Sequence, residues 1–379
     1  MGVTKISWSP PTVILSAVKN LCAARPRPFT AFRVTNRVNR IWSHPYQMHQ
    51  VELCGSYEQM GHQQGRPLRQ IGLTFPPPDQ KMLRFAKLCE EIVGQHAPGF
   101  LDEMRGLAKA AGLDYGTLMT MILTIPFEPQ DVPVPSCTVL AVLPERTKDG
   151  RPIVGRNYDF FYDISAEPAT TYRIYPERRY ASLGDSDIWV GRDDGLNEAG
   201  LFVGMARSFL PGLKPGLAFW LIVRLLLDRC ATVEEGLELI QNVPHAQSYT
   251  YLLADRSGKS VVVEPSIEAI ELRYPQDGLL VMTNHAVCPA WAGKEAFVPP
   301  DSHSRYNRLR ELLGGNQLID VETVKQALRD HEGLVCSHGA HFPDRQFGTI
   351  WSVVGHPGER QLEIAAGYPC QAEYRTVSF

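Results

Sequence analysis

The chain has 379 residues, 44% of them apolar and 21% charged, and a formal net charge of −3 at pH 7. This is the composition of a folded protein with one large domain or two ordinary ones, and it excludes a disordered chain. The near-neutral balance excludes a strongly basic nucleic-acid surface and an acidic solvating tail.

Residues 1–50 stand apart from the rest. From Met1 to Val51 there is no Asp or Glu, while Lys5, Lys19, Arg25, Arg27, Arg33, Arg37 and Arg40 are basic. The apolar stretch TVILSAV is short for a signal-peptide core, and no small-x-small cleavage site follows it convincingly. An acid-poor, Arg-rich composition also suits an organelle transit peptide, but the simpler expectation is a disordered extension or an over-long start. Eight cysteines form no CxxC pair and no zinc-finger spacing, so a reducing, cytoplasmic location without a structural metal is expected. The longest apolar run, LAFWLIVRLLL, is interrupted by Arg224 and falls short of the roughly 20 residues a bilayer crossing needs, so no membrane partner is expected.

Over residues 51–136 the texture becomes globular and helical. KMLRFAKLCEEIVGQ places Met82, Phe85, Ala86, Cys89, Ile92 and Val93 on one helical stripe. GFLDEMRGLAKAAG follows, ending at Gly112, a natural left-handed cap. The section runs out in PFEPQDVPVPS, where Pro126, Pro129, Pro133 and Pro135 forbid helix and favour an extended, exposed connection.

Beyond it the hydrophobic period changes to that of strands. CTVLAVL, PIVGRNY, GLFVGMA, SYTYLLA, SVVVEPS, AIELRY, GLLVMTN, TIWSVVG and LEIAAGY are short and rich in β-branched or aromatic residues. DRSGKS and GHPGERQ read as hairpin turns. Two helical segments interrupt the strands: LAFWLIVRLLLDRC with TVEEGLELIQN, and SRYNRLRELLGG with DVETVKQALRDHEG. Thr232 and Glu235 have capping-box spacing. A helix apolar nearly all round must be buried. The pattern predicts an α/β (α+β) fold of four αββα layers, two sheets face to face with helices outside, preceded by the helical N-terminal section.

Cys137 opens the first of these strands, just after the proline-rich connection. A lone cysteine in a strand is most often a small buried hydrophobe. Here, however, breaking the Ser136-Cys137 bond would place a thiol and an α-amine on one residue. The ordinary pKa of an α-amine is about 7.7–8.0, so a useful fraction is neutral near pH 7 and can accept the thiol proton.

SCTVLAV, DGRPIVGRNYDF, DGLNEAGLFVGM, LLADRSGKSVVVEPS, VMTNHAV, SHSRYNRL and AAGYPCQAEY together resemble the N-terminal nucleophile hydrolases. They are most similar to the branch of isopenicillin-N acyltransferase-like autoproteolytic enzymes, with choloylglycine hydrolases as more distant relatives. GSYEQMGHQQG resembles the propeptide of that branch, and the resemblance runs from about Glu52 to the C-terminus. It implies an αββα sandwich over residues 137–379 and a propeptide over 51–136. It also implies a self-processing cysteine enzyme that hydrolyses a linear amide or transfers its acyl group through a thioester.

By the same resemblance Cys137 is the nucleophile, freed by cleavage after Ser136. Arg156 favours its thiolate, and Asp159 holds or orients the α-amine. Asn284 donates to the oxyanion, and Arg305 completes the polar cluster. In bile-salt relatives a second asparagine stands at about the position of Arg207, where this chain reads GMARSF, so the second donor is left open and a backbone N–H could supply it. Arg207 and His285 remain substrate-site candidates.

The implied partner is a small amide or acyl substrate: a linear amide of a small acid, a β-lactam side chain, an acyl-homoserine lactone and a conjugated bile acid all fit. The resemblance implies no cofactor and no metal, has the processed chains stay associated, and leaves homo-oligomerisation open. Three other readings compete. A papain-like pair would join Cys137 to His285, His303, His338 or His341, and a member without turnover would serve as a scaffold. In HGAHFPD, His338 and His341 without a third ligand are a weak metal motif. Asp185, Asp187, Asp193 and Asp194 read as a solvated acidic loop, and no Walker loop or GxGxxG follows a strand.

Overall fold

The computed structural model describes residues 48–124, 136–161, 170–338 and 347–379. The basic extension up to residue 47, the connection at 125–135 and His341 lie outside the described residues.

Fourteen strands among the described residues form two sheets. The larger contains β1 (His49–Gly55), β4 (Thr170–Pro176), β5 (Ser182–Ser186), β6 (Asp194–Asn197), β7 (Leu201–Arg207), β8 (Tyr249–Asp255), β9 (Ser260–Pro265) and β10 (Ile270–Arg273), in that order. The smaller has the order β11 (Leu279–Met282), β2 (Ser136–Val142), β3 (Ile153–Phe161), β12 (Phe347–His356), β13 (Gln361–Ala366) and β14 (Arg375–Ser378). The nine strands expected from sequence are all present. DRSGKS and GHPGERQ join the antiparallel pairs β8–β9 and β12–β13.

The N-terminal section holds α1 (Tyr57–Gln70), α2 (Gln80–His96), α3 (Pro98–Ala111), which ends on Gly112 at φ 73°, and α4 (Tyr115–Thr124). Helices α5 (Phe219–Arg229) and α6 (Val233–Asn242) pack on the larger sheet. Helices α7 (Ser302–Leu313) and α8 (Val321–Leu328) pack on the smaller one. Thr232 caps α6 by accepting from the Glu235 N–H at 3.3 Å.

The strand period explains the layering. In β2, Cys137, Val139 and Ala141 join the core between the sheets, whereas Leu140 and Val142 join a second core with Ile153, Leu309, Val324 and Leu328 under α7 and α8. The sheets approach so closely at β2 and β7 that a Cβ on Gly204 would lie 2.8 Å from Val139 Cγ1. These are the four αββα layers the sequence predicts.

The N-terminal section is more than a helical appendage. It opens with a strand, because β1 pairs in parallel with β4 and extends the larger sheet. In α1, a Cβ on Gly61 would lie 2.0 Å from Glu103 O, so the glycines of GHQQG let α1 and α3 cross at backbone distance. Gln64 Nε2 donates to Glu103 at 2.7 Å, Tyr57 Oη donates to Asp228 at 2.8 Å, and Arg224 pairs with Asp228 at 2.7 Å and with Glu103 at 3.7 Å. The arginine that interrupts the apolar run of α5 is therefore the buried tie between the N-terminal helices and the sandwich.

Candidate active site

Cys137 is 1% exposed and lies on the inter-sheet face of the smaller sheet. In register, Cys137 faces Tyr158 and Ser136 faces Asp159 across the β2–β3 ladder. Arg156 and Asp159 are three residues apart on one strand, so they project to opposite faces. Arg156 shares the face of Cys137, and Asp159 points with Ser136 toward α7.

On the helix-facing side, one guanidinium organises the network. Arg305 donates through Nη1 to the Cys137 carbonyl at 2.5 Å and to Thr138 Oγ1 at 2.9 Å, through Nη2 to Asn284 Oδ1 at 3.0 Å, and through Nε to Asp301 at 3.1 Å. Asn284 Oδ1 also accepts the Cys137 backbone N–H at 2.6 Å. Two donors on that atom fix it as the amide oxygen. Asn284 Nδ2 gives one hydrogen to the Arg207 carbonyl at 3.1 Å and has a second to offer. Asp301 Oδ1 accepts from Ser136 Oγ at 3.3 Å.

Asp159 Oδ1 accepts from Thr349 Oγ1 at 2.6 Å, while Oδ2 is buried without a partner. A bulge in β12 makes this arrangement possible. Thr349 pairs with Asp159 and Trp351 with Tyr158, so the extra residue Ile350 turns two side chains of one parity to opposite faces of the sheet. Burial, against the pull of Arg305 and the Thr349 hydroxyl, pushes the Asp159 carboxyl up to about 7.

On the inter-sheet side, Arg156 Nη1 donates to Asp194 Oδ2 at 2.6 Å and to the Asp193 carbonyl. Trp351 Nε1 donates to the same Asp194 oxygen at 2.8 Å, and the Trp351 ring stacks on Tyr158 at 4.0 Å. Tyr158 Oη donates to Asp187 at 3.1 Å. Burial pushes the Cys137 thiol up to about 11, opposed by Arg156 and Arg305 and reinforced by Asp159. In the unbroken chain the sulfur is thus a neutral thiol at pH 7.

Several sequence expectations are revised here. Asp185, Asp187, Asp193 and Asp194 are buried, not solvated: β5 carries Asp185, β6 carries Asp194, and Asp187 and Asp193 lie in the connection between the two strands, with Arg156 bonded to Asp194 and to the Asp193 carbonyl. Burial pushes Asp187 up to about 6 and raises Asp185 and Asp193 well above the carboxylate range. GRNYD, by contrast, continues the strand expected for PIVGRNY, and all five of its residues are buried. Arg207 contributes its carbonyl to Asn284, while its guanidinium lies 5.0 Å from the Phe209 ring.

His285 stands behind Asn284. Its Nδ1 lies 2.8 Å from Ser302 Oγ, its ring packs 3.9 Å from His303, and burial with His303 and Arg305 pushes its pKa down to about 3. The groups that act on the thiol are Arg156, Asp159 and Arg305, and the resolved bonds of His285 lead away from it.

Sequence reasoning missed Thr138, Thr349, Trp351, Asp194 and Asp301. Thr138 and Asp194 lie within SCTVLAV and DGLNEAGLFVGM without being singled out by them, and Thr349, Trp351 and Asp301 lie in none of the motifs that carry the resemblance. It also missed that His338, weak beside His341, is joined by His331, Cys336 and Cys370, with ligand atoms all within 4.8 Å of one another.

Among the described residues no helix is long and apolar enough to cross a membrane. A curated relative, an uncharacterized protein of Archaeoglobus fulgidus, is 24% identical over an alignment 345 residues long that covers 75% of this chain and 57% of that one. The chain thus spans little more than half the length of that relative. Among solved structures it is similar to penicillin V acylase from Agrobacterium tumefaciens, at 17% identity and a TM-score of 0.47 over 64% of this chain and 86% of that chain. It is also similar to conjugated bile acid hydrolase from Clostridium perfringens, at 16% identity and 0.47 over 64% and 97%. Residues 146–371, more than half of the chain, match the family described as acyl-coenzyme A:6-aminopenicillanic acid acyl-transferase. The chain belongs to that family, and so to the N-terminal nucleophile hydrolases its sequence motifs resemble.

Proposed function

We propose that the protein is a self-processing cysteine amidase or acyltransferase whose nucleophile is Cys137. One observation carries the reading: the backbone N–H of Cys137 donates to Asn284 Oδ1 at 2.6 Å, and that oxygen is itself held by Arg305 at 3.0 Å. The nitrogen that cleavage would turn into an amine already lies at the centre of the polar network.

In processing, the thiol sulfur attacks the Ser136 carbonyl carbon, an S–C bond forms and the C–N bond breaks, with the thiol proton passing to the departing amine. Water then hydrolyses the thioester, leaving the Ser136 carboxylate and a free thiol. The new α-ammonium gives the unpartnered Asp159 Oδ2 a cation to accept from. The two chains stay together, because β1 remains hydrogen-bonded to β4 and Glu103 remains paired to Arg224.

In turnover, the amine takes the thiol proton and the thiolate attacks the carbonyl of a linear amide. The second hydrogen of Asn284 Nδ2 is available to the developing oxyanion. The leaving amine departs with that proton, and the acyl-enzyme passes its acyl group to water or to an acceptor amine. Arg156 Nε and Nη2, buried on the inter-sheet side without a hydrogen-bond partner, mark the face from which the acyl group enters.

Intact mass under denaturing conditions tests the reading. Wild-type protein should give two fragments separating at Ser136-Cys137, and Cys137→Ala a single full-length chain without amidase activity, a loss of at least about 10³-fold. A wild type that stays whole and matches its variant would overturn it.

A further inference from the structure

Around His338 of HGAHFPD, the fold gathers four metal-ligating side chains. His331, Cys336 and His338 lie in the connection from α8 to β12, and Cys370 lies in the connection from β13 to β14. Their spacing in the chain, four, one and thirty-one intervening residues, matches no zinc-finger pattern. Leu334, with φ 61°, turns the chain back, and its N–H donates to the His331 carbonyl at 3.1 Å. The Cys336 N–H donates to the Asp330 carbonyl at 2.9 Å. This turn brings Cys336 beneath His331, and the return from β13 delivers Cys370.

We propose that His331, Cys336, His338 and Cys370 form a tetrahedral Cys2His2 site for one zinc ion. The four ligand atoms all lie within 4.8 Å of one another, with His338 Nε2 3.2 Å from Cys370 Sγ and 3.5 Å from Cys336 Sγ. With Zn–N near 2.0–2.1 Å and Zn–S near 2.3 Å, a tetrahedron has an N···S edge of about 3.6 Å, so these separations already suit an ion at the centre. The His338 ring is stacked on Tyr368 at 4.1 Å, and the His331 ring stands edge-on to it at 5.0 Å. Two thiolates and two imidazoles in four protein positions select zinc over calcium, magnesium or manganese, and leave no coordination place for a substrate. His331 and His338 are exposed, which gives the ion a path from solvent.

The site also bears on the nucleophile. Ser337, between two of the ligands, donates its N–H to Thr349 Oγ1 at 3.0 Å and accepts the Thr349 N–H at 3.0 Å. The same Thr349 hydroxyl donates to Asp159 at 2.6 Å. An ion held by Cys336 and His338 would fix the segment that orients this carboxylate, making its ligands positioning residues.

The test uses the full chain purified without chelator. Elemental analysis should find about one zinc per chain in wild type and almost none in the Cys336→Ser/Cys370→Ser double variant. Should that variant not fold, the wild type alone decides: stripped with chelator under reducing conditions and titrated with Co(II), it should show the strong visible absorption of a tetrahedral site with a thiolate charge-transfer band, saturating at about one equivalent. Zinc-free wild type whose mass is lower by two hydrogens, with Cys336 and Cys370 joined in a non-reducing peptide map, would identify a disulfide there and overturn the proposal. Zinc retained equally by the double variant, or a pale octahedral cobalt spectrum, would overturn it as well.

Discussion

Two buried arginines flank Cys137, and they are used in opposite ways. Arg305, on the helix-facing side, engages Nε, Nη1 and Nη2, and it ties the Cys137 carbonyl, Thr138, Asn284 and Asp301 into one closed network. Arg156, on the inter-sheet side, bonds through Nη1 alone, and around it Nε, Nη2, Asp185 Oδ2 and Asp193 Oδ1 are buried without partners. A satisfied buried network rigidifies, whereas unsatisfied buried groups carry a cost that a fold keeps where a ligand or a reaction will meet them. Under the proposed function, the difference assigns Arg305 to holding the backbone of Cys137 and Arg156 to meeting its thiol and what reacts with it.

The largest effect expected from this contrast is on stability. Arg305→Ala should destabilise the fold by about 3–5 kcal/mol, because it strands Asp301 and removes both hydrogen bonds from Nη1 to the start of β2 at once. Denaturant unfolding of the unprocessed chain, with Cys137 also replaced by Ala, measures it free of chain cleavage. Next comes Arg156→Lys, which keeps the charge that compensates Asp194 but cannot reproduce the guanidinium fork. It should fold with much less loss than Arg305→Ala and yet lower kcat/KM by about 10–100-fold, the scale of losing a positioned charged group. If both variants move stability and activity in the same ratio, the division of labour between the two sides is wrong.

A smaller effect concerns pH and Asp159. With its pKa held near 7 by burial, against an ordinary 3.8, this carboxyl binds its proton more tightly folded than unfolded. Its contribution to stability is therefore fully present below about pH 3.8 and is lost as pH rises through 7. The uncleaved Cys137→Ala chain should show that decline and the same chain carrying Asp159→Asn should not, in urea midpoints taken from pH 4 to 8. In processed protein the decline should shrink, since the α-ammonium supplies the missing cation. Below about pH 6.5 the opposite slope comes from His285 and His245, whose buried rings are pushed down to about 3 and about 4, so their stabilisation fades as pH falls toward those values.

The parts of this arrangement legible in sequence are those with a local signature. Cys137, Arg156, Asp159, Asn284 and Arg305 sit in the short motifs that carry the sequence resemblance, and the structure brings all five together. Strands with β-branched or aromatic runs were equally visible. Strands β5 (SLGDS) and β6 (DGLN) were not, because their residues favour turns and only pairing inside a sheet makes them strands. Their aspartates consequently looked solvated. Thr349 and Trp351 could not be placed without knowing that a bulge separates them, and Cys370 meets His338 only through the return of β13. Each miss is a tertiary placement that no local pattern encodes.

The smallest predicted effect probes Arg207, the position where the sequence resemblance leads one to expect a second asparagine. At Arg207 it is the backbone carbonyl that accepts from Asn284, at 3.1 Å, while the half-buried guanidinium lies 5.0 Å from the Phe209 ring. Arg207→Ala leaves the carbonyl in place and removes only a cation–π contact, worth about 0.5–1 kcal/mol at a partly exposed site. Processing should go to completion, and kcat on a neutral linear amide should stay within about threefold of wild type, because no hydrogen bond to the reacting centre is lost. A tenfold or larger rise in KM confined to substrates with an acidic acyl group would instead place the guanidinium in the acyl pocket. Asn284→Ala is the matching control: it removes the amide itself and should cost about 10²–10³ in kcat, the effect of deleting an oxyanion donor.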